Sequence, residues 1–146
     1  MKTDTLIGSL QIVTFMVGNE QYGIHIMKVQ EIIRIIEAVK VPKAPAHVGG
    51  VINLRGKIVP VIDLRKRMRK TVTPYSDASR IIIGDTGGRL AGMVVDSVID
   101  VITVNNDEIE PCPSIDDNMR SKFITGIGKK DDRLITILNL EDLLQT

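Results

Sequence analysis

Gly50-Val51-Ile52-Asn53-Leu54-Arg55-Gly56-Lys57-Ile58-Val59-Pro60-Val61-Ile62 is the stretch on which the fold turns. Residues 51–53 and 58–62 are short apolar runs rich in β-branched side chains, and the four residues between them include a glycine. Gly56 enters positive φ at little steric cost, so the pattern predicts a β-hairpin. Pro60 has no amide hydrogen to give to a ladder, which predicts an edge strand or a bulge there. Arg55 stands alone at the tip of an otherwise apolar hairpin. It reads either as a solvated turn residue or as a planar fork for carboxylates and carbonyl groups.

Working outward, the same grammar recurs. Upstream, residues 11–17 read as a strand, 18–20 as a turn, and Tyr22, Ile24 and Ile26 as one face of a second strand. Residues 31–36 are isoleucine-rich and favour a third strand because their neighbours are strands. Downstream, Asp63 is a candidate cap for one or two helical turns over 63–68, and 69–79 reads as a connector. An apolar strand at 80–83, a turn at 85–88, strands at 91–95 and 98–104, and a short helix at 139–144 capped by Asn139 complete the chain.

The two halves resemble each other. A shift of 69 residues lays Gly23 on Gly92, Val29 on Val98, Glu31 on Asp100, Ile33 on Ile102 and Pro42 on Pro111. A shift of 76 lays Gly50 on Gly126, Leu64 on Leu140, and Ile58-Val59-Pro60-Val61-Ile62 on Leu134-Ile135-Thr136-Ile137-Leu138. The expectation is one domain over 1–146 built from two related β subdomains, 11–68 and 80–144, joined at 69–79, with strand exchange between them allowed. Units of about 60 residues are marginal alone, so they gain by packing together, and their junction forms a groove. At the tip equivalent to Arg55 the second half carries Asp131 and Asp132, which makes the two docking surfaces non-equivalent.

Composition narrows the function. With 19 basic and 18 acidic residues the net charge is +1, and aromatic residues are 3% with no tryptophan. Neither a phosphate-binding basic excess nor a base-stacking platform is present, so nucleic acid is not the expected partner. The basic run over 65–70 reads as a solvated short helix and linker. The single cysteine, Cys112, between two prolines, suits a reducing compartment and a loop. His25 reads as a surface or hydrogen-bonded histidine and His47 as a loop residue, with no ligand spacing for a metal. No two carboxylates are paired by sequence into an acid and a base, and Asp96 and Asp100 read as a solvated or salt-bridged strand face. Gly126-Ile127-Gly128-Lys129-Lys130 lacks the phosphate-loop pattern. No leader and no membrane-spanning apolar stretch is read, so a cytoplasmic protein without cofactors or direct membrane insertion is expected.

Residues 22–32, the block 50–64, Gly92-Met93-Val94-Val95-Asp96-Ser97-Val98 and the ending over 124–144 together resemble the CheW family of chemotaxis coupling proteins, over nearly the whole chain. The resemblance implies an all-β fold with short helices: two five-stranded SH3-like β-barrel subdomains. It implies a non-enzymatic adaptor that bridges the regulatory domain of the histidine kinase CheA to chemoreceptor cytoplasmic hairpin tips at membrane-associated arrays. Carried over by position, Val13, Ile26, Val29, Arg55 and Val98 are the receptor-binding candidates in the inter-subdomain groove. Ile36, Val39, Val41 and Gly50 are the kinase-binding candidates. Each valine and isoleucine has core packing as its competing reading. A small enzyme working in the groove and a nucleic-acid-binding barrel pair are the alternatives, and no fused phosphoacceptor receiver is expected.

Overall fold

The computed structural model describes residues 8–40, 42, 48–68, 70–111 and 123–143. Eleven strands and two short helices are defined there: β1 (Ser9–Val17), β2 (Glu20–His25), β3 (Val29–Arg34), β4 (Val48–Leu54), β5 (Lys57–Asp63), α1 (Leu64–Arg67), β6 (Arg80–Thr86), β7 (Arg89–Val95), β8 (Ser97–Asn105), β9 (Ile109–Glu110), β10 (Ile124–Lys130), β11 (Arg133–Leu138) and α2 (Leu140–Leu143). Single 3-10 turns at Ile26–Lys28 and Asn106–Glu108 precede β3 and β9. The fold is all-β with short helices.

The decisive hairpin is there. Leu54 faces Lys57, so Arg55 and Gly56 form a two-residue loop, with φ of 51° and 87°. Two consecutive positive values match the twist of the flanking strands. Asp131 and Asp132 close β10 and β11 in the same way, with φ of 49° and 68°. Asp63 caps α1 by accepting from the Arg65 amide at 3.0 Å, and Asn139 caps α2 through the Asp142 amide at 3.0 Å.

Two sheets result, one ordered β8-β1-β2-β11-β10-β9 and the other β3-β6-β7-β5-β4. The second has the five strands expected; the first has six, because the two-residue β9 adds to its edge. Position along the chain does not assign strands to sheets: β1 and β2 pair with β8 and β11, while β3 to β5 pair with β6 and β7. Parallel pairing makes both joins. Gly23 faces Ile137 in one sheet and Gly92 faces Val61 in the other. These are one pair seen twice under the shifts of 69 and 76. Likewise Val29 faces Gly84 and Val98 faces Phe15, with a register shift immediately after each valine–partner pair. The repeat therefore governs ladder register as well as sequence.

Each sheet curls. A three-residue turn carries the chain from β8, at one end of its sheet, to β9 at the other. In the second sheet, Val39 beyond β3 bridges Val51 of β4 through hydrogen bonds of 2.8 and 2.9 Å, drawing the two ends together. Three cores follow. One lies within each curled sheet, around Ile52, Val59, Ile81 and Ile83 in one and Ile12, Val104 and Ile135 in the other. The largest lies between the sheets and takes Phe15, Tyr22, Ile24, Ile82, Met93 and Leu138 together with Leu64 and Leu140 of the helices. Ile81-Ile82-Ile83 is an unbroken apolar run because alternate residues serve different cores, so β6 is buried on both faces.

Two expectations are corrected. Pro60 is not on an edge strand: β5 is flanked by β4 and β7. It is tolerated because the ladder to β7 begins only at Val61. Arg65 is not part of a solvated run: it is 2% exposed, held by Asp63. Cys112 and His47 lie outside the described residues.

Candidate partner-binding surfaces

Val29 and Val98 are half-buried, and both pack against the core between the sheets. The repeat relates them, so equivalent strands bring equivalent valines to the junction. Ile26 lies in the turn immediately before Val29, whose amide donates to the Ile26 carbonyl. Arg55 is joined to the same strand, because its guanidinium is ion-paired with Glu31, two residues after Val29. Ile26, Val29 and Arg55 thus form one group. Val13 and Val98 form another, on the paired strands β1 and β8. Val13 is buried, opposite Ile24, so its side chain faces its neighbours and not solvent.

The kinase-binding candidates cluster elsewhere. Ile36 and Val39 are exposed, at 39% and 70%, on the segment that closes the second sheet. Gly50 sits against Val39 with φ of 124°, and a Cβ at that position would overlap the Val39 carbonyl oxygen. Beside them Ile36, Ala38, Lys40, Gly49 and Tyr75 contribute to a cavity of about 360 Å³. Val41 lies outside the described residues.

The acid that completes the Arg55 group, Glu31, was not singled out from sequence. Glu31 aligns with Asp100, and each accepts an arginine from the neighbouring hairpin: Arg55 in one half, Arg133 in the other. Arg133 contacts both Asp100 oxygens at 3.1 and 3.2 Å and reaches Gln21 at 3.0 Å, while the Thr14 hydroxyl donates to Asp100. The arginine first, and the threonine second, hold the Asp100 carboxyl below its ordinary 3.8. Lys28 does the same to Glu141, whose ordinary value is 4.5. A depressed folded-state value means that each contribution is full above the unfolded value and is lost as pH falls through the folded one. Acid titration of wild type should show stability falling below these values. Arg133→Gln should flatten that dependence, as urea midpoints measured from pH 6 to 3 will show. A slope unchanged by the substitution would remove Asp100 from the account.

His25 accepts from the Met27 amide at 3.0 Å through Nδ1, a local capping role. Asp96 accepts from the Gly18 amide at 2.7 Å. Among the described residues no three His, Cys, Asp or Glu side chains form a group that could hold a metal, and no helix is long and apolar enough to cross a membrane.

Residues 11–146 match the family model described as the CheW-like domain. The chain is 35% identical to the chemotaxis protein CheW of Klebsiella aerogenes over 136 residues, covering 93% of this chain and 82% of that one. It is 36% identical to the chemotaxis protein CheW of Bacillus subtilis, covering 92% and 86%. Among solved structures it is similar to the scaffolding protein TtCheW of Thermoanaerobacter tengcongensis. That likeness has a TM-score of 0.87 at 40% identity and covers 94% of this chain and 93% of that one.

Proposed function

The chain belongs to the CheW family, and on that premise we propose that it is a non-enzymatic chemotaxis adaptor coupling chemoreceptors to the histidine kinase CheA. The receptor hairpin tip docks at the junction of the two sheets, and the kinase regulatory domain docks on the face around Ile36, Val39 and Gly50. The protein is cytoplasmic and reaches receptor arrays through these partners. The observation that carries the reading is the position of Val29 and Val98: repeat-related, half-buried, and set where two sheets share one core. An apolar receptor helix gains there by burying surface, at about 25 cal/mol per Å² before association costs. Arg55 at the rim sets orientation more than affinity, as rim charges do.

The function follows from bridging without turnover. An adaptor biases a kinase only by contacting its active and inactive states differently.

Pulldown with a purified receptor cytoplasmic fragment and with the kinase tests the assignment. Val29→Asp and Val98→Asp are each expected to weaken receptor binding about tenfold or more, equivalent to about 1.4 kcal/mol, and to leave kinase binding unchanged. Arg55→Ala should weaken it by a smaller factor. Thermal unfolding of each variant controls for folding. Equal loss of both partners in folded variants would sink the site assignment, and wild type binding neither partner would sink the function.

A further inference from the structure

Backbone and side chains part company at one place in the repeat. In the first half, Phe15 and Tyr22 stack with ring centroids 6.2 Å apart, and the Tyr22 hydroxyl donates to Glu20 at 2.7 Å. Shifted by 69, these three residues become Gly84, Ala91 and Arg89. Leu140 of α2 takes the space over Gly84, where a Cβ would overlap its Cδ2. Over Ala91 the ring has no replacement. There lies a cavity of about 650 Å³, walled by Ile58, Pro60 and Leu90, with Arg89, Thr86 and Glu141 at its polar edge. In the other half the positions nearest the ring are covered: Val17, Tyr22 and Arg65, counterparts of Thr86, Ala91 and Glu141, are 0%, 2% and 2% exposed, while Leu134, counterpart of Ile58, is exposed like it.

We propose that this cavity is a docking socket for an aromatic side chain of a protein partner, with a neighbouring carboxylate on that partner paired to Arg89. The first half supplies the shape, since the same backbone arrangement there accommodates a tyrosine. Charge supplies the polarity: replacement of Glu20 by Arg89 turns an acceptor at the ring's polar end into a cation. The Arg89 side chain is exposed and makes no hydrogen bond or ion pair within the described chain, so its donors are available. Ile58, 68% exposed beside the cavity, adds apolar surface for the partner to cover. A volume of this size is typical of sites that bury a compact ligand group. None of its described lining residues is a receptor-binding or kinase-binding candidate, so the socket stands or falls independently of the adaptor reading.

Methyl NMR of the full chain tests it with three probes: N-acetyl-Phe-Glu-amide, N-acetyl-Phe-Lys-amide and N-acetyl-Ala-Glu-amide. The expected result is saturable shifts at the Ile58, Leu90 and Ala91 methyls with Phe-Glu, at least fivefold weaker with either other probe. Ala91→Tyr places in the socket the ring that the other half carries, and should weaken Phe-Glu binding tenfold or more. Arg89→Glu, which leaves the walls intact, should reverse the preference toward Phe-Lys. The proposal is overturned by absence of shifts at those methyls, by Ala-Glu binding as well as Phe-Glu, or by Arg89→Glu keeping the wild-type preference. It is also overturned if binding appears only after residues 144–146 are deleted, which would make the chain's own end the occupant.

Discussion

Arg65→Met is expected to lower the stability of this protein by about 3–5 kcal/mol, the usual cost of breaking a buried ion pair from one side. Arg65 and Asp63 are 2% and 5% exposed. The guanidinium meets Asp63 at 2.9 and 3.0 Å, donates to the Thr73 carbonyl at 2.6 Å, lies 5.0 Å from the centre of the Tyr75 ring and approaches Asp96 at 3.7 Å. One cation thus fastens β5, α1 and the connector. Its hydrogen bond to Asp63 raises its affinity for the proton further, against desolvation, so no part of this stability is lost near neutral pH. Methionine fills part of the volume but strands the Asp63 carboxylate with only the α1 amide as partner. Adding Asp63→Asn, the residue type that the second half carries at Asn139, should recover part of the loss. Urea unfolding monitored by circular dichroism measures it, and a cost below about 1 kcal/mol would show the pair to be solvated.

Gly50→Ala is the second large effect. At φ of 124° an L-residue is strained, typically by about 1–3 kcal/mol. The new methyl would also overlap the Val39 carbonyl oxygen, which accepts the Val51 amide at 2.9 Å. Relief requires the two-bond bridge to open, at about 1 kcal/mol for each bond. A total of about 3–5 kcal/mol is expected, with hydrogen exchange rising first at the Val39 and Val51 amides. Uniform exchange across both sheets would instead mean that the bridge is not a local element. Because Val39 and Gly50 are kinase-face candidates, the same substitution should reduce kinase binding in whatever fraction remains folded.

Local chemistry made the hairpin at 50–62 legible, because Gly56 suits a tight connection between two β-branched runs, while the two-residue loop with Arg55 at positive φ is seen only in the structure. The helix caps were legible for the same reason, since Asp63 and Asn139 each sit just before a short amphipathic turn. The repeat was readable too, and it anticipated that Val29 and Val98 would share surroundings. Which sheet each strand joins was not readable, because ladder partners in this fold are non-local: β2 pairs in parallel with β11, more than a hundred residues away. Pro60 misleads because its missing donor concerns one edge of one residue and says nothing of the whole strand. Arg65 misled because a run of like charges reads as solvated, whereas Asp63, two residues earlier, was the signal that one member was taken inward. The Glu31–Arg55 pair lay hidden for a further reason. The shift of 76 lays Arg55 on Asp131 and Lys57 on Arg133, so aligning the halves pairs neither Glu31 with Arg55 nor Asp100 with Arg133.

The most direct test of the central claim is sedimentation velocity of the wild-type chain mixed with the kinase regulatory domain and a receptor cytoplasmic fragment. A bridging adaptor with separate docking faces gives one ternary species, and Val29→Asp removes only the receptor from it. Two binary complexes that exclude each other, with no ternary species at saturating concentrations, would contradict the claim that the chain couples one partner to the other.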